Sequence, residues 1–511
     1  MQIVYDPRQK DHDPQHFLVR GQPKANPETP ERVDILLAAL AEAGHPVGAP
    51  EQHGPGPRAA VHSPDYLRFL ETIADRWQAL PDAGAEVLPN VHPPMRDGGY
   101  PRSPVGQAGY HMADTACPIA AGTWEAVCAS ANTAVDAAAR LLGGAAGAVY
   151  ALCRPPGHHA FADMAGGFCY LNNSAIAAQY LRRRAARVAI LDIDVHHGNG
   201  TEAVVENTTP AAPKFAFSTP YCDGNITVPT YRPWLDETDH EEVFFASVHG
   251  YGRRREGIHF YPGSGPTGDN RNLDGRELLQ TEEPTVWPED GILEDFYSLA
   301  AAKDDSTAQG PLPWVVDVGM EGTGKKSERG AAWRRVWRGK TLPAIAAFKP
   351  DLIIISAGFD AHAKDEIQGP VNLGVKEADY EWLTEELCKI ANTHCQGRVI
   401  SVLEGGYRIQ GELVSPFARS VASHVGALMH PAGRHERWSE ADAAADREKE
   451  AREAEARRAR KEAAQAEAAA LAADANANGE ASADAGGTKR ALEGEPEEAP
   501  PSGRRRRGGA P

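Results

Sequence analysis

The chain has 511 residues, a formal charge of −18 and a hydrophobic fraction of 41%. That fraction is ordinary for a globular protein, so most of the chain can bury a core; the negative charge argues against general affinity for nucleic acid, whose phosphates need net-basic surfaces. Seven cysteines without CxxC spacing read as free thiols in a reducing compartment, no basic-then-apolar leader opens the sequence, and no apolar run approaches the ~18 residues of a membrane span, so a soluble, intracellular protein is expected.

In chain order, segments of helical period alternate with short β-branched runs. A helix is expected over 31–43, and Ser63-Pro64-Asp65 sets a capping hydroxyl, a first-turn proline and an early acid ahead of the pattern at 66–70. A helix over 124–142 precedes an apolar run at 147–153, and one over 173–186 precedes 188–195. A helix over 331–348 precedes 351–358, and one over 378–391 precedes 398–404. The four runs read as strands buried on both faces, as in a parallel sheet covered by helices. Repeated alternation of this kind indicates an α/β fold.

Two polar, proline-containing stretches, 207–240 and 269–310, read as surface insertions. The composition changes near 429–438. Residues 441–473 are good helix formers without an apolar heptad seam, which predicts a lone charged helix, and from 475 onward Gly, Ala, Pro and charge predict disorder. The expected organisation is a catalytic domain over 1–430, a charged Ala-rich helix over 431–474 and a tail over 475–511.

The run 188–195 carries Asp192, Asp194 and His196, with His197-Gly198-Asn199 following. Strand alternation puts the first three on one face at the carboxyl end, where open α/β sheets bind ligands. Two carboxylates and an imidazole at close range need a cation to compensate them. An Asp-x-Asp pair alone is more often a solvated turn; at the tip of an apolar strand it points to metal. The run 147–153 ends in Arg154-Pro155-Pro156-Gly157-His158-His159. Adjacent histidines are often plain surface imidazoles, but a rigid Pro-Pro-Gly directly after a buried strand favours a positioned acid/base pair. The other two runs end in SAGFDAH, with Asp360, and in LEGGY, with Glu404 and Tyr407. An isolated acid or tyrosine is ordinarily a cap or a core hydrogen bonder, but four such clusters at four strand ends point to one site.

The blocks RPPGHH, GGFCYLNN, LDIDVHHGNGT, SAGFDAH and LEGGY, in that order, resemble the histone deacetylase and acetylpolyamine amidohydrolase superfamily, in its class II-like branch. The resemblance covers about 27–429 and includes ANPETPERVDILLAAL and GYHMADTACPI near the start. It implies a three-layer arginase/deacetylase-like α/β fold, a central parallel sheet with helices on both faces. It implies that Asp194, His196 and Asp360 bind zinc, with an open position for water and the substrate carbonyl. His159 matches the general base that later protonates the leaving amine, His158 the electrostatic partner beside it, and Asp192 the carboxylate orienting His158. Asn199 stands where class I relatives carry aspartate and class II relatives asparagine. Tyr407 matches the tyrosine that donates to the carbonyl and then to the oxyanion. Gly167 and Phe168 match one wall of a narrow substrate channel, and the block at 258–263 matches the other, with Tyr261 where phenylalanine is common. A structural potassium ion is implied beside Asp192, Asp194, His196 and Ser247.

The activity so implied is zinc-dependent hydrolysis of the acetyl amide of N6-acetyl-lysine in histones or other proteins. Polyamine-preferring relatives can carry a glutamate seven positions after the third zinc ligand; here Ile367 stands there, with Glu366 before it, which favours a protein substrate. The alternative is an acetylpolyamine or other small-molecule amidohydrolase. A catalytically silent acetyl-lysine binding scaffold is a third reading, disfavoured because neither a ligand nor the tyrosine is lost. Lys489-Arg490 and the run from Arg504 to Arg507 read either as solvated basic clusters or as a two-part nuclear localisation signal. The second reading predicts a nuclear enzyme of chromatin and transcription regulation, partnered by acetylated histones and a corepressor complex, with a cytoplasmic location as the alternative. No sequence-specific nucleic-acid contact is expected.

Overall fold

The computed structural model of the chain describes residues 1–93, 99–144, 147–210, 214–227, 232–251, 260–264, 292–297, 314–320, 322, 326–369, 371–429 and 436–449, with positions 452, 456, 459, 460 and 463. The expected tail over 475–511, with its basic clusters, lies outside the described residues, as does most of 269–310. The chain divides into two compact units, Met1–Ala443 and Ala444–Pro511. In the second, residues 444–449 and the isolated described positions are helical. The first unit takes in Trp438, which packs against the main core.

The strands, in chain order, are β1 (Gln2–Val4), β2 (His16–Val19), β3 (Gln22–Ala25), β4 (Val47–Gly48), β5 (Ala148–Ala151), β6 (Val188–Asp192), β7 (Lys214–Ser218), β8 (Asp223–Thr227), β9 (Val243–Gly250), β10 (Ile292–Tyr297), β11 (Trp314–Met320), β12 (Leu352–Ala357) and β13 (Val399–Leu403). One sheet has the order β10-β11-β9-β6-β12-β13-β5-β1-β4. Its strands from β11 to β4 pair in parallel, and β10 joins the edge antiparallel to β11. Every residue of β6, β9, β12 and β13 is buried, which explains why their sequences are unbroken apolar runs.

Alternate side chains of these strands feed two separate cores. Ala189 and Leu191 of β6 and Ile353 and Ile355 of β12 join Leu36, Trp333, Leu383 and Val421 on one face. Val188, Ile190, Leu352 and Ile354 join Phe69, Val127, Ala134 and Ile176 on the other. Helices Glu31–Glu42, Glu377–His394 and Pro416–Met429 therefore cover the first face, and Pro64–Gln78, Thr123–Leu142 and Asn173–Arg182 the second. This is the three-layer α/β architecture expected. At Pro64–Gln78 the Ser63 hydroxyl accepts the Tyr66 N–H at 3.3 Å, the cap that the sequence announces.

Three local expectations are corrected. The helix expected over 331–348 starts at Lys326 and passes through a π turn at Trp337–Thr341 before continuing over Leu342–Phe348. Pro343 accounts for the break, since it has no N–H for the carbonyl four residues back and its ring crowds that carbonyl. The insertion 207–240 contains an antiparallel hairpin of β7 and β8, and 269–310 contains β10. β10 owes its place to the edge of β11, with which it pairs antiparallel.

Two buried histidines that take no part in the chemistry give a stability prediction. His424 lies between the Thr384 and Ser401 hydroxyls at 2.7 and 2.8 Å, and burial pushes it down to about 3. His62 Nε2 accepts the Asn172 N–H at 2.9 Å, and burial pushes it down to about 4. Unfolded, both titrate near ~6.5. Below that value the unfolded chain binds the extra protons, so the contribution is complete above about pH 6.5 and is lost as pH falls toward the folded values, by up to ~1.4 kcal/mol per pH unit per histidine. Urea midpoints should fall between about pH 7 and pH 5, and His424→Gln should flatten that fall. A midpoint unchanged over this window contradicts the assignment.

Candidate active site

β6, β12, β13 and β5 are consecutive in the sheet, so the segments that follow them meet at one carboxyl edge. Asp194, His196 and Asp360 are brought together there, fully buried, with one donor atom from each within 4.8 Å of the others. His196 Nδ1 is 3.1 Å from both Asp194 Oδ1 and Asp360 Oδ2. Strand alternation is not what aligns them. β6 ends at Asp192, whose Oδ1 accepts the Asp194 N–H at 3.0 Å, and Asp194 Oδ1 accepts the His196 N–H at 2.9 Å. The chain leaves the strand in two Asx-type steps, because the acid side chains offer hydrogen bonds that the sheet no longer supplies.

Asp360 accepts the Val195 N–H at 2.9 Å, and the Gly405 N–H donates to Asp194 Oδ2 at 3.0 Å. These close approaches require glycine. A Cβ on Gly358 would stand 1.9 Å from Asp194 Oδ2, and one on Gly405 2.4 Å from it and 2.6 Å from Asp360 Oδ2. Burial and the Asp194 charge push Asp360 up to about 7, a strain that a bound cation relieves. One nitrogen and two carboxylate oxygens fit a divalent ion such as zinc.

Beside this group, His158 Nδ1 is 3.0 Å from Asp192 Oδ2 and His159 Nδ1 is 2.8 Å from Asn199 Oδ1. The two ring centroids are 3.9 Å apart. Burial opposes charge on both rings. At His158 the carboxylates of Asp194 and Asp192 outweigh it and raise the imidazole to about 10; at His159 burial is reinforced by the cationic His158, and the imidazole falls well below its ordinary value. The pair thus splits into a cation and a neutral base. The Gly157 and His158 N–H groups donate to buried Glu404 at 2.6 and 3.1 Å, tying the histidine loop to the glycine loop of β13.

The channel walls form where expected, with additions. Gly167 and Phe168 both have left-handed backbones, at φ +47° and +65°. A Cβ on Gly167 would stand 2.5 Å from the His159 ring and 2.6 Å from the Tyr261 hydroxyl, so only glycine leaves the passage open. The Phe168 ring meets Tyr407 edge-on at 5.6 Å and Phe17, from β2, at 5.4 Å. Tyr261 stands edge-on to His159 at 5.1 Å, while Phe260 stacks on His196 at 5.1 Å. Burial raises the Tyr407 hydroxyl well above its ordinary value, so it remains a proton donor. Ser247 lies beside Asp192 in the register of β6 and β9, with its hydroxyl 2.8 Å from His249 Nδ1.

Sequence reasoning missed several residues. Arg32, wholly buried, donates to the Glu404 and Gly406 carbonyls at 2.6 and 2.7 Å and lies 4.7 Å over the Tyr407 ring, so it locks the LEGGY turn. Asp114 accepts the Tyr261 hydroxyl at 2.5 Å and the Gly167 N–H at 3.2 Å, which puts a carboxylate in the channel wall. ANPETPERV and GYHMADTACPI contained both residues, but nothing in either segment's periodicity marks them.

A buried triad suited to a cation, a split imidazole pair and a tyrosine, all at the carboxyl edge of a parallel sheet, define a hydrolase of the deacetylase class. The chain belongs to the histone deacetylase family, whose domain matches residues 26–426. It is 48% identical over 432 residues to an acetylpolyamine amidohydrolase of Burkholderia pseudomallei (strain 1710b), covering 84% of this chain and 99% of that relative. It is 31% identical over 415 residues to acetylpolyamine amidohydrolase 1 of Pseudomonas aeruginosa, covering 80% and 95%. The crystal structure of an acetylpolyamine aminohydrolase from Burkholderia pseudomallei aligns with a TM-score of 0.60 and 32% identity over 84% of this chain and 98% of that one.

Proposed function

We propose that the protein hydrolyses the acetyl amide of small cationic acetylated amines, the acetylpolyamines, to acetate and the free amine, with zinc held by Asp194, His196 and Asp360. The observation that carries this reading is the 48% identity across 99% of the Burkholderia amidohydrolase. It outweighs the protein substrate expected from Ile367. Asp114 supports it: the partners of this carboxylate are the Ala116 and Gly167 N–H groups and the Tyr261 hydroxyl, all uncharged, so its charge is left for a substrate ammonium. Glu366, by contrast, is drawn to Arg408 at 2.6 Å.

A zinc ion supplies polarisation of the amide carbonyl and acidification of the attacking water. His159, whose Nδ1–H is held by Asn199, takes the water proton at Nε2 and returns it to the departing amine as the C–N bond breaks. Cationic His158 balances the charge that develops beside it. The Tyr407 hydroxyl donates to the carbonyl oxygen as it becomes an oxyanion.

The test compares acetylspermidine and acetylputrescine with an acetyl-lysine peptide on the purified full chain. The polyamines should have the higher kcat/KM; a clear preference for the peptide would restore the protein deacetylase reading. Asp114→Asn should lower kcat/KM for the acetylpolyamines by about tenfold, the scale of a lost charge partner at a partly open site, and leave a neutral N-acetyl alkylamine nearly unaffected. Equal losses on both substrates would remove Asp114 from the argument.

A further inference from the structure

Directly behind the turn that carries His196 lies a second group of buried ionisable side chains that the reaction does not use. His197 follows β6, Glu202 lies on the helix Asn199–Glu206, His249 is near the end of β9 and Asp317 is on β11. All four are at most 2% exposed. One donor atom each from His197, His249 and Asp317 falls within 4.8 Å of the others. His197 Nε2 is 2.6 Å from Glu202 Oε2 and 3.3 Å from Asp317 Oδ1.

These short contacts pair the His197 ring with both carboxylates. His197 Nε2, His249 Nε2, Glu202 Oε2 and both Asp317 oxygens are buried with no hydrogen-bond partner. The His249 Nε2 lone pair thus has no donor to fill it. Each imidazole is also oriented from its far side: Ser264 Oγ lies 2.8 Å from His197 Nδ1, and Ser247 Oγ lies 2.8 Å from His249 Nδ1. A polar partner at one ring nitrogen, leaving the other free, is the arrangement that prepares histidine to bind metal.

We propose that His197, His249 and Asp317, with Glu202 paired to His197, form a second divalent-cation site, of zinc type, separate from Asp194, His196 and Asp360. Two imidazole nitrogens and a carboxylate oxygen make a borderline donor set suited to zinc or a neighbouring late first-row ion. The two carboxylate charges match a divalent cation. The donors are wholly buried, as those of a structural ion are. Such an ion ties β9 and β11 to the turn that positions His196.

The test is zinc content per chain by elemental analysis, after metal depletion and reloading of the full chain with zinc alone. Wild type should hold two ions, Asp360→Asn one, Asp317→Asn one, and the double variant none. Cobalt loading gives a second readout, since the visible band of a four-coordinate centre should persist in Asp360→Asn and vanish in the double variant. If Asp317→Asn fails to fold, His249→Gln takes its place. A single ion in wild type, no ion in Asp360→Asn, or two ions retained in both Asp317→Asn and His249→Gln overturns the proposal.

Discussion

Replacing His159 with glutamine should lower kcat by about 10²–10⁴, the usual contribution of a positioned general base, with little change in the urea midpoint. The ring is poised for this work by its surroundings. Burial and the neighbouring cation of His158 keep it unprotonated, and Asn199 at 2.8 Å holds Nδ1, so Nε2 is the basic atom. Glutamine fills similar space but cannot exchange the proton. The measurement is kcat on acetylspermidine with metal content determined on the same preparation. Activity within tenfold of wild type, at equal metal content, would move the base elsewhere.

Tyr407→Phe should cost about 10²–10³ in kcat, the scale of one lost oxyanion donor, with KM changed by no more than about a factor of a few. Phenylalanine retains the contacts that fix the ring, namely the Arg32 guanidinium 4.7 Å above it and Phe168 at 5.6 Å, so the effect isolates the hydroxyl. Loss confined to KM would instead mean that the hydroxyl contributes to ground-state binding alone.

Much of the molecule is legible in the amino-acid order. The central strands are readable because a parallel sheet covered on both faces leaves no polar alternation, and runs such as Val188–Asp192 and Leu352–Ala357 have little other use. The Ser63 cap is readable because its chemistry is local. Asp192, Asp194 and His196 stand out because charge at the end of an apolar strand needs a reason, although their alignment arises from Asx turns and not from the strand's own alternation.

What is illegible depends on partners distant in sequence. Arg32 meets the LEGGY turn across 372 and 374 residues, and Asp114 meets Tyr261 across 147. A single charged residue in a helix or loop has the same local pattern whether it faces water or a catalytic tyrosine. The same limit hides the His197, Glu202, His249 and Asp317 group, whose members come from separate elements with no shared spacing. By itself, then, the sequence determined the α/β class, the strands that bear the chemistry and the family, because apolar periodicity and contiguous motifs are local properties. Only the tertiary structure decided strand order, the charge split between His158 and His159, and the carboxylate in the channel. Each of these is set by which buried groups become neighbours, and in a desolvated interior those neighbours control charge and access.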